Sequence, residues 1–244
     1  MIELYETTLN RVYLHYAREL QLHQITFFWD LASAGFFETQ HTNFSFSTKK
    51  DYYDGSEPSS NAQSLHNLVR LAALLPLERE SFLEYARDIL IELRPWVEQS
   101  PNSSPFFVAG AAMYEIAAAY LPRDPHLPEA TSDRAVRHDA ALPPWYTFIL
   151  SRHGAEGHSS AGLLNAVQRV YYPYRTFYSY STVDENSGTD ETVPGIEHAF
   201  HAIPHGQHNC DVMHVLKNDR LVGTFDNAEH LRSFFADEVD SLVA

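Results

Sequence analysis

A proline-rich stretch divides this chain into two parts with different hydrophobic patterns. Residues 122–144 hold five prolines among charged residues and histidines, a composition typical of a linker. Before this stretch, apolar residues recur at helical spacing, and after it come aromatic and branched runs that are typical of strands. The sequence therefore predicts an α+β chain with a helical segment over 1–121, a linker over 122–144 and a small α/β unit over 145–244.

The first part is expected to form four helices. Their predicted ranges are 2–22, 63–75, 82–97 and 107–121. The first helix has no cap before it, so we expect that the chain enters this helix midway. The fourth, "FVAGAAMYEIAAAYL", is nearly apolar all round, which indicates burial on most sides. The aromatic residues around Asp30 and Gly35 indicate a turn or a short hairpin.

The second part has the order of a βαβ unit. The strand-like run "WYTFILS" is followed by the helical pattern "AGLLNAVQRVYY" and a second strand-like run, "YRTFYSYS". Further along, "CDVMHVLKNDRLVGTF" predicts another strand or a hairpin. A closing helix is expected after it, capped by Asp226 or Asn227.

Charge and cysteine content exclude several classes of function. The chain has 17 Lys and Arg against 32 Asp and Glu, a net charge of -15, which disfavours binding to nucleic acid. Because Cys210 is the single cysteine, no internal disulfide or CxxC pair can form, and we expect an intracellular, reducing compartment. No run approaches 18 apolar residues and the N-terminus is acidic, so we expect neither a membrane span nor a signal or transit peptide.

The loop "DYYDGSEPSSNAQ" at residues 51–63 has two interpretations. Asp54, Glu57 and Asn61 could line a sugar-binding pocket, since carboxylates bind hydroxyls and move protons. Alternatively, the loop is a helix start in which Ser59 or Ser60 is the N-cap and the nearby carboxylates favour the helix N-terminus. We expect the capping interpretation, which also assigns Gly55 a backbone angle that other residues resist.

The same stretch resembles a known family. "LYETTLNRVYLHYARELQ…FFWDLASAGFFETQ" and "YDGSEPSSNAQSLHNLVRLAALL" are similar to the thioredoxin-domain-containing family typified by spermatogenesis-associated protein 20. In this family the first stretch carries a pair of glycines and the second carries one before the Asn; Ala34 and Ser60 stand at two of those glycines. The positions that match the family's second motif are Asp54, Gly55, Glu57, Pro58, Ser59, Asn61, Asn67, Leu68, Arg70 and Leu71.

The resemblance implies a fold, and a difference from the family argues against thiol chemistry. In this family, a thioredoxin-like domain is followed by a domain similar to the (α/α)6 toroid of N-acylglucosamine 2-epimerase. The resemblance therefore implies that this chain begins inside a late helix of the toroid. It also implies that this chain lacks the thioredoxin domain. Where the family commonly carries two cysteines in a C-terminal strand, this chain has Leu216 and Leu221. We therefore expect no thiol chemistry and no cofactor.

A histidine-rich segment and a glycine-containing loop are weaker candidate sites. The segment "HAFHAIPHGQHNCDVMH" contains weak candidate metal ligands, but its spacing fits no strong zinc signature and we expect no metal. The candidate ligands are His198, His201, His205 and His208. The loop "RHGAEGHSS" lacks a phosphate-binding pattern, so it is expected to be a plain connection between a strand and a helix.

Two functions remain open at this point. In the favoured one, the chain is a non-catalytic accessory subunit of a heteromeric protein assembly, because a partial toroid leaves apolar faces of its first and fourth helices uncovered. In the alternative, it is half of an epimerase-like carbohydrate-processing enzyme completed by another chain. The expected interface residues are Leu9, Val12, Tyr16, Leu20, Phe107, Met113, Ile116 and Tyr120.

Overall fold

The computed structural model describes residues 1–40, 49–121, 142–152, 158–169, 172–181, 211–218 and 220–243. The helices are α1 Ile2–Thr8, α2 Arg11–Phe28, α3 Ser60–Leu74, α4 Arg79–Gln99, α5 Pro105–Tyr120, α6 His158–Gln168 and α7 Ala228–Val243. The strands are β1 Tyr146–Arg152, β2 Arg175–Ser181, β3 Val212–Lys217 and β4 Arg220–Phe225. The chain is therefore a mixed α+β protein, which confirms the predicted fold class.

The described residues form two compact units. The first contains Met1–Tyr5 and Asn10–Ala119, and the second contains Glu6–Leu9 and the described residues from Tyr120 onward. Most of the expected linker, 122–144, lies outside the described residues. The domain boundaries predicted above stay a prediction.

One helix was expected over residues 2–22, and this was wrong because the backbone breaks after Thr8. Leu9 has a φ of 53°, which a right-handed helix cannot accommodate. Asn10 then starts α2 as its N-cap, since its Oδ1 accepts a hydrogen bond from Val12 N at 3.0 Å. A cap therefore does precede the second segment, and α2 runs on to Phe28.

The expected turn after α2 is present. Trp29 and Phe36 form an isolated antiparallel bridge, and the chain reverses between them through Ala34 at φ 57° and Gly35 at φ 77°. Both residues thus occupy the left-handed region, which glycine adopts at least cost. Ala34 therefore carries a side chain at a backbone angle that favours glycine.

Helices α3, α4 and α5 confirm the predicted helical segments, with ends that differ by a few residues. Helix α3 forms the centre of the first unit, since Leu65, Leu68 and Leu71 are completely buried. Helix α5 comes close to α3 at Gly110, where a Cβ would lie 2.9 Å from the side chains of both Leu65 and His66. Because only glycine leaves this space, the two helices can pack closely at this point.

The second unit is a four-stranded sheet with the order β2-β1-β3-β4. Strand β1 pairs in parallel with β2 and antiparallel with β3, so β1, α6 and β2 form the predicted βαβ unit. Helices α6 and α7 pack on each other, and the α7 residue Phe235 contacts the rings of Tyr146 and Phe148 on β1. Aromatic packing thus forms the core of this unit.

Strands β3 and β4 form the predicted hairpin. Asn218 turns the chain with a φ of 48°, and its side chain accepts a hydrogen bond from Trp145 N at 2.8 Å. Leu216 and Leu221 are direct partners across the two strands. They therefore form an apolar pair across the hairpin. At the end of this hairpin, Asn227 caps α7 by accepting from Glu229 N at 2.7 Å.

Among the described residues, none of the helices combines the length and the apolar character needed to cross a bilayer.

Candidate functional site

Asp54, in the loop expected to be either a pocket or a cap, binds backbone amides. One carboxylate oxygen accepts from Ser59 N at 2.8 Å. The other accepts from Phe106 N at 2.8 Å and Phe107 N at 3.2 Å. Since an ionised carboxylate binds amides more strongly than a neutral acceptor does, Asp54 fastens the first turn of α5 to the loop before α3.

Asn61 is completely buried and joins three segments of the first unit. Its Nδ2 donates to the carbonyl oxygens of Phe36 and Asp51, each at 3.0 Å, and its Oδ1 accepts from Phe36 N at 2.7 Å. A Cβ on Gly35 would lie 3.1 Å from that same Oδ1. The amide of Asn61 thus uses its hydrogen-bonding capacity on the backbone around it.

The remaining loop residues act as the capping interpretation expects, with one correction. Ser59 is the N-cap of α3 and accepts from Ala62 N at 3.3 Å, whereas the side chain of Glu57 is exposed. Gly55, however, does not adopt a positive φ, so the expectation that its backbone angle excludes other residues was wrong. A Cβ there would instead lie 3.2 Å from the ring of Tyr53.

The turn between Trp29 and Phe36 is held by a largely shielded ion pair, whose side chains are 8% (Lys50) and 14% (Asp30) exposed. Lys50 Nζ lies 2.7 Å from the carboxylate of Asp30 and donates to Ser33 Oγ at 2.6 Å. Burial raises the pKa of Asp30, but the hydrogen bonds from Lys50, Ala32 N and Ser33 outweigh it and lower the pKa to about 2. Asp30 therefore stays ionised and stabilises the turn.

Three of the expected interface residues lie exposed on α2, and together with Phe27, which was not predicted, they form a face that we call the α2 stripe. Its members are Val12, Tyr16, Leu20 and Phe27. The first three are 53%, 54% and 61% exposed. At 3.6 residues per turn, all four fall within an arc of about 80° on one side of α2. Helix α2 thus presents an apolar surface to the outside, interrupted by the exposed His23 between Leu20 and Phe27.

The expected interface residues on α5 behave differently. Phe107, Met113 and Ile116 are buried, with Phe107 only 4% and Ile116 only 2% exposed. This corrects the expectation that the fourth helix is uncovered, because the chain itself covers these side chains. Leu9 is also buried, and Tyr120 is half-buried and donates a hydrogen bond to the Leu142 carbonyl at 3.3 Å.

His66 lies in the contact between α3 and α5. Its ring stacks on that of Phe106 at a centroid distance of 3.9 Å, and its Nε2 lies 2.9 Å from the Phe106 carbonyl oxygen. Burial lowers the pKa of His66, and the positive charge of Arg70 acts in the same direction. These influences outweigh the carbonyl bond and the charge of Asp54, so His66 is held neutral in a structural position.

Sequence reasoning missed a polar cavity of about 540 Å³ between α1, α2 and α3. Four carboxamides line it, Gln21 and Gln24 from α2 and Gln63 and Asn67 from α3, and we call it the amide cavity. The carboxamides form two pairs, with Gln21 Nε2 donating to Gln24 Oε1 at 3.0 Å and Gln63 Nε2 to Asn67 Oδ1 at 3.1 Å. Amides three or four residues apart on a helix share a face, and this spacing is the signal that could have indicated the cavity.

The remaining candidate sites are not brought together with this cavity. The candidate metal ligands His198, His201, His205 and His208 lie outside the described residues, as do positions 153–157 of the "RHGAEGHSS" loop. The ring of His214 on β3 contacts Thr224 Oγ1 at 3.0 Å. Within the described part of the chain, no group of three or more His, Cys, Asp or Glu side chains could hold a metal ion.

Comparison with known proteins gives similarities to spermatogenesis-associated protein 20 of several mammals. The chain is 38% identical to spermatogenesis-associated protein 20 of the rat over 77 residues, which make up 30% of this chain and 10% of that protein. It is also 38% identical to the human protein of the same name over 73 residues, 29% of this chain and 9% of that protein. No family model and no solved structure matches the chain. The chain thus matches about a tenth of the length of these relatives and is similar to them over less than a third of its own length.

Proposed function

We propose that this chain is a non-catalytic interaction protein, an accessory subunit that binds a partner protein through the α2 stripe. The single observation that carries the proposal is the exposure of Val12, Tyr16 and Leu20 on one side of α2. Contiguous apolar surface on a water-soluble protein usually marks an interaction site, whereas scattered apolar residues do not. Descent from a helical toroid, and a reducing compartment for the assembly, belong to the same proposal.

The contacts of the loop before α3 support a structural function over a catalytic one. An acid or base for carbohydrate chemistry needs a side chain that can reach a substrate. Asp54 instead accepts hydrogen bonds from three backbone amides, and Asn61 holds the carbonyl oxygens of Phe36 and Asp51. These two groups of the alternative enzyme are therefore engaged in holding the fold.

The local charges suit a protein partner that is less acidic than this chain. Two copies of a chain with a net charge of -15 repel each other at long range, which opposes their association. Glu19, which lines the same hollow as Tyr16 and Leu20, places a carboxylate beside the α2 stripe. We therefore propose a heterologous partner with a neutral or basic surface around its apolar contact.

Site-specific photo-cross-linking in the cells of origin tests the proposal. A photoreactive residue is placed at Tyr16 in the α2 stripe and, as a matched control, at Ile91, which is 64% exposed on α4. We expect a discrete cross-linked product from position 16 that is lost when Leu20→Glu is added, and no such product from position 91.

Two results would contradict the proposal. One is an absence of cross-linking at position 16 together with a monodisperse monomer that binds no dye for exposed apolar surface. The other is turnover of a carbohydrate by the purified chain that depends on Glu57 or Asp54, which would favour the enzyme alternative.

A further inference from the structure

One side of α4 carries aromatic rings around a carboxylate. Tyr85, Glu92 and Trp96 are separated by seven and four residues, so at 3.6 residues per turn they fall within an arc of about 40°. Trp96 is 62% exposed, and Glu92 is half-buried. Tyr52, from the loop before α3, brings the centre of its ring to 5.9 Å from that of Trp96. We call Tyr52, Glu92 and Trp96 the Trp96 patch.

The backbone around Tyr52 is fixed to the end of α4 that carries Trp96. The Tyr52 carbonyl accepts a hydrogen bond from Ser104 Oγ at 3.0 Å, and Asp54 N donates to the Ser103 carbonyl at 2.9 Å. Ser103 and Ser104 belong to the turn that follows α4. The two ring planes meet at 39°, so the rings do not stack flat on each other and Trp96 keeps most of its surface exposed.

The Trp96 patch has a negative electrostatic environment. Within the described residues Glu92 forms no ion pair, whereas Arg87 and Arg94 lie more than about 130° around α4 from it and pair with other carboxylates. Burial raises the pKa of Tyr52 to about 12, and the negative charge of Glu92 acts in the same direction. The last turn of α4 contains no basic residue to offset the partial negative charge of its carbonyl groups.

The guanidinium group of arginine matches these groups. The face of an aromatic ring attracts a cation, and tryptophan does so most strongly. A guanidinium is flat, so it can lie on such a face while its N–H groups bind a carboxylate. Glu92 and Trp96 are four residues apart on α4, which makes their side chains neighbours that one arginine can contact together. An anionic group would instead be repelled by Glu92.

We infer that the Trp96 patch binds an arginine side chain of a partner protein, with the guanidinium on the Trp96 ring and against the Glu92 carboxylate. A protein is the expected source of the cation, because tryptophan, tyrosine and arginine are the residues that most often dominate binding between proteins. The inference goes beyond the proposed function, since it assigns a second interaction surface on another helix. Ile91, the control position for cross-linking, lies about 140° around α4 from Trp96 and outside the patch.

Fluorine NMR on the full chain with 5-fluorotryptophan tests the inference, because Trp29, Trp96 and Trp145 act as three separate reporters. The Trp96 resonance is assigned by its loss in Trp96→Leu. The probe is the blocked tripeptide Gly-Arg-Gly, and its matched analogue carries citrulline, which has the shape of arginine without the charge. We expect a saturable shift of the Trp96 resonance at millimolar arginine peptide, and about tenfold weaker binding of the citrulline peptide. The resonance of Trp145, which is 2% exposed, should stay in place.

A pair of protein variants separates the Glu92 contact from the net charge of the chain. Glu92→Gln keeps the size of the side chain and should weaken binding of the arginine peptide about threefold. Glu98→Gln is the matched control, because it makes the same change of charge near the same end of α4. Glu98 pairs with Arg94 and lies about 160° around the helix from Trp96, so this variant should bind as the unaltered protein does.

Three outcomes would overturn the inference. The first is a Trp96 resonance that moves equally with the arginine and the citrulline peptides. The second is equal weakening by Glu92→Gln and Glu98→Gln, which would show a general effect of net charge. The third is tighter binding of chitobiose or choline than of the arginine peptide, which would assign the patch to a sugar or to a small quaternary amine. An unchanged Trp145 resonance in each variant shows that the fold is retained.

Discussion

Helices α2 and α5 were both expected to present uncovered apolar faces, but only α2 does so in the structure. Helix α5 is the more apolar in sequence, yet its residues Phe107 and Ile116 are buried. Helix α2 buries Leu14 and Ala17 on one side and exposes the α2 stripe on the other. The comparison teaches that apolar content does not decide exposure, because a helix face is buried only where another element lies against it.

The reason for the burial of α5 lies in the residues around it. Gly110 allows α5 to approach α3, His66 stacks on Phe106, and Asp54 holds the first turn of the helix. Helix α2 faces α3 with the side that carries Gln21 and Gln24, and the stripe lies on the adjoining side, with Leu20 at the edge of the amide cavity. Each prediction below tests one part of this difference.

Truncation of a large side chain should separate the two helices most clearly. Phe107→Ala is expected to lower the free energy of unfolding by about 4 kcal/mol, since it leaves a cavity in a packed core. Leu20→Ala on the α2 stripe should change it by no more than about 0.5 kcal/mol. Urea unfolding followed by circular dichroism measures both values, and similar losses would show that α2 is covered in solution as well.

Removal of the Asp54 carboxylate should release the start of α5. Asp54→Ala is expected to cost about 3 kcal/mol, because three backbone amides lose a charged acceptor and two of them belong to α5. The amides of Phe106 and Phe107 should exchange hydrogen faster in this variant. Glu57→Ala, in the same loop but exposed, is the control; an equal loss there would mean that general loop charge matters and not the amide contacts.

Replacement of glycine by alanine usually stabilises a helix, but at Gly110 the added methyl group should destabilise the protein. Gly110→Ala is expected to destabilise the protein by about 2 kcal/mol, since the new Cβ would lie 2.9 Å from Leu65 and His66. The matched control is Gly162→Ala in α6, where no atom lies within 4 Å of the added Cβ. That change should stabilise the protein by about 0.5 to 1 kcal/mol, because alanine favours helix formation. Thermal unfolding would contradict the close packing of α3 and α5 if both changes stabilise.

The smallest expected effect is the pH dependence from His66. Because burial lowers its pKa from the ordinary 6.5, the unfolded chain takes up a proton before the folded chain does as the pH falls. The stability that comes from neutral His66 is therefore complete above pH 6.5 and decreases as the pH falls below that value. The measurement is the free energy of unfolding in urea at a series of pH values, for the unaltered protein and for His66→Phe. The difference between the two curves gives the pH dependence that comes from His66. Parallel curves would contradict the burial of His66.

Much of the fold could be predicted because its signals are local. The predicted segments for α3, α4 and α5 were confirmed, as was the βαβ unit, since hydrophobic periodicity appears within one helix or strand. Ser59 and Asn227 were among the residues named as caps. The break at Leu9 was missed because a positive φ in a non-glycine residue leaves little trace in a pattern of apolar residues.

The candidate site was harder to predict because its members are far apart in the sequence. Asp54 and Asn61 could be singled out as a motif, but the Asp54 bonds to the start of α5 span more than fifty residues. The amide cavity was not predicted at all. Glutamines on a helix are usually solvated, and nothing local indicates that Gln24 meets Ser64.

The sequence by itself determined the types of the elements, the exclusion of an internal disulfide and the acidic character of the chain, and it narrowed two of the helix caps to two residues each. These properties depend on composition or on residues within a few positions of each other. The tertiary structure alone decided that α5 is covered while the α2 stripe is not, and that two pairs of carboxamides line one open hollow. The physical reason is that burial and long-range hydrogen bonds depend on which faces the fold brings together, and such pairings have no fixed spacing in the sequence.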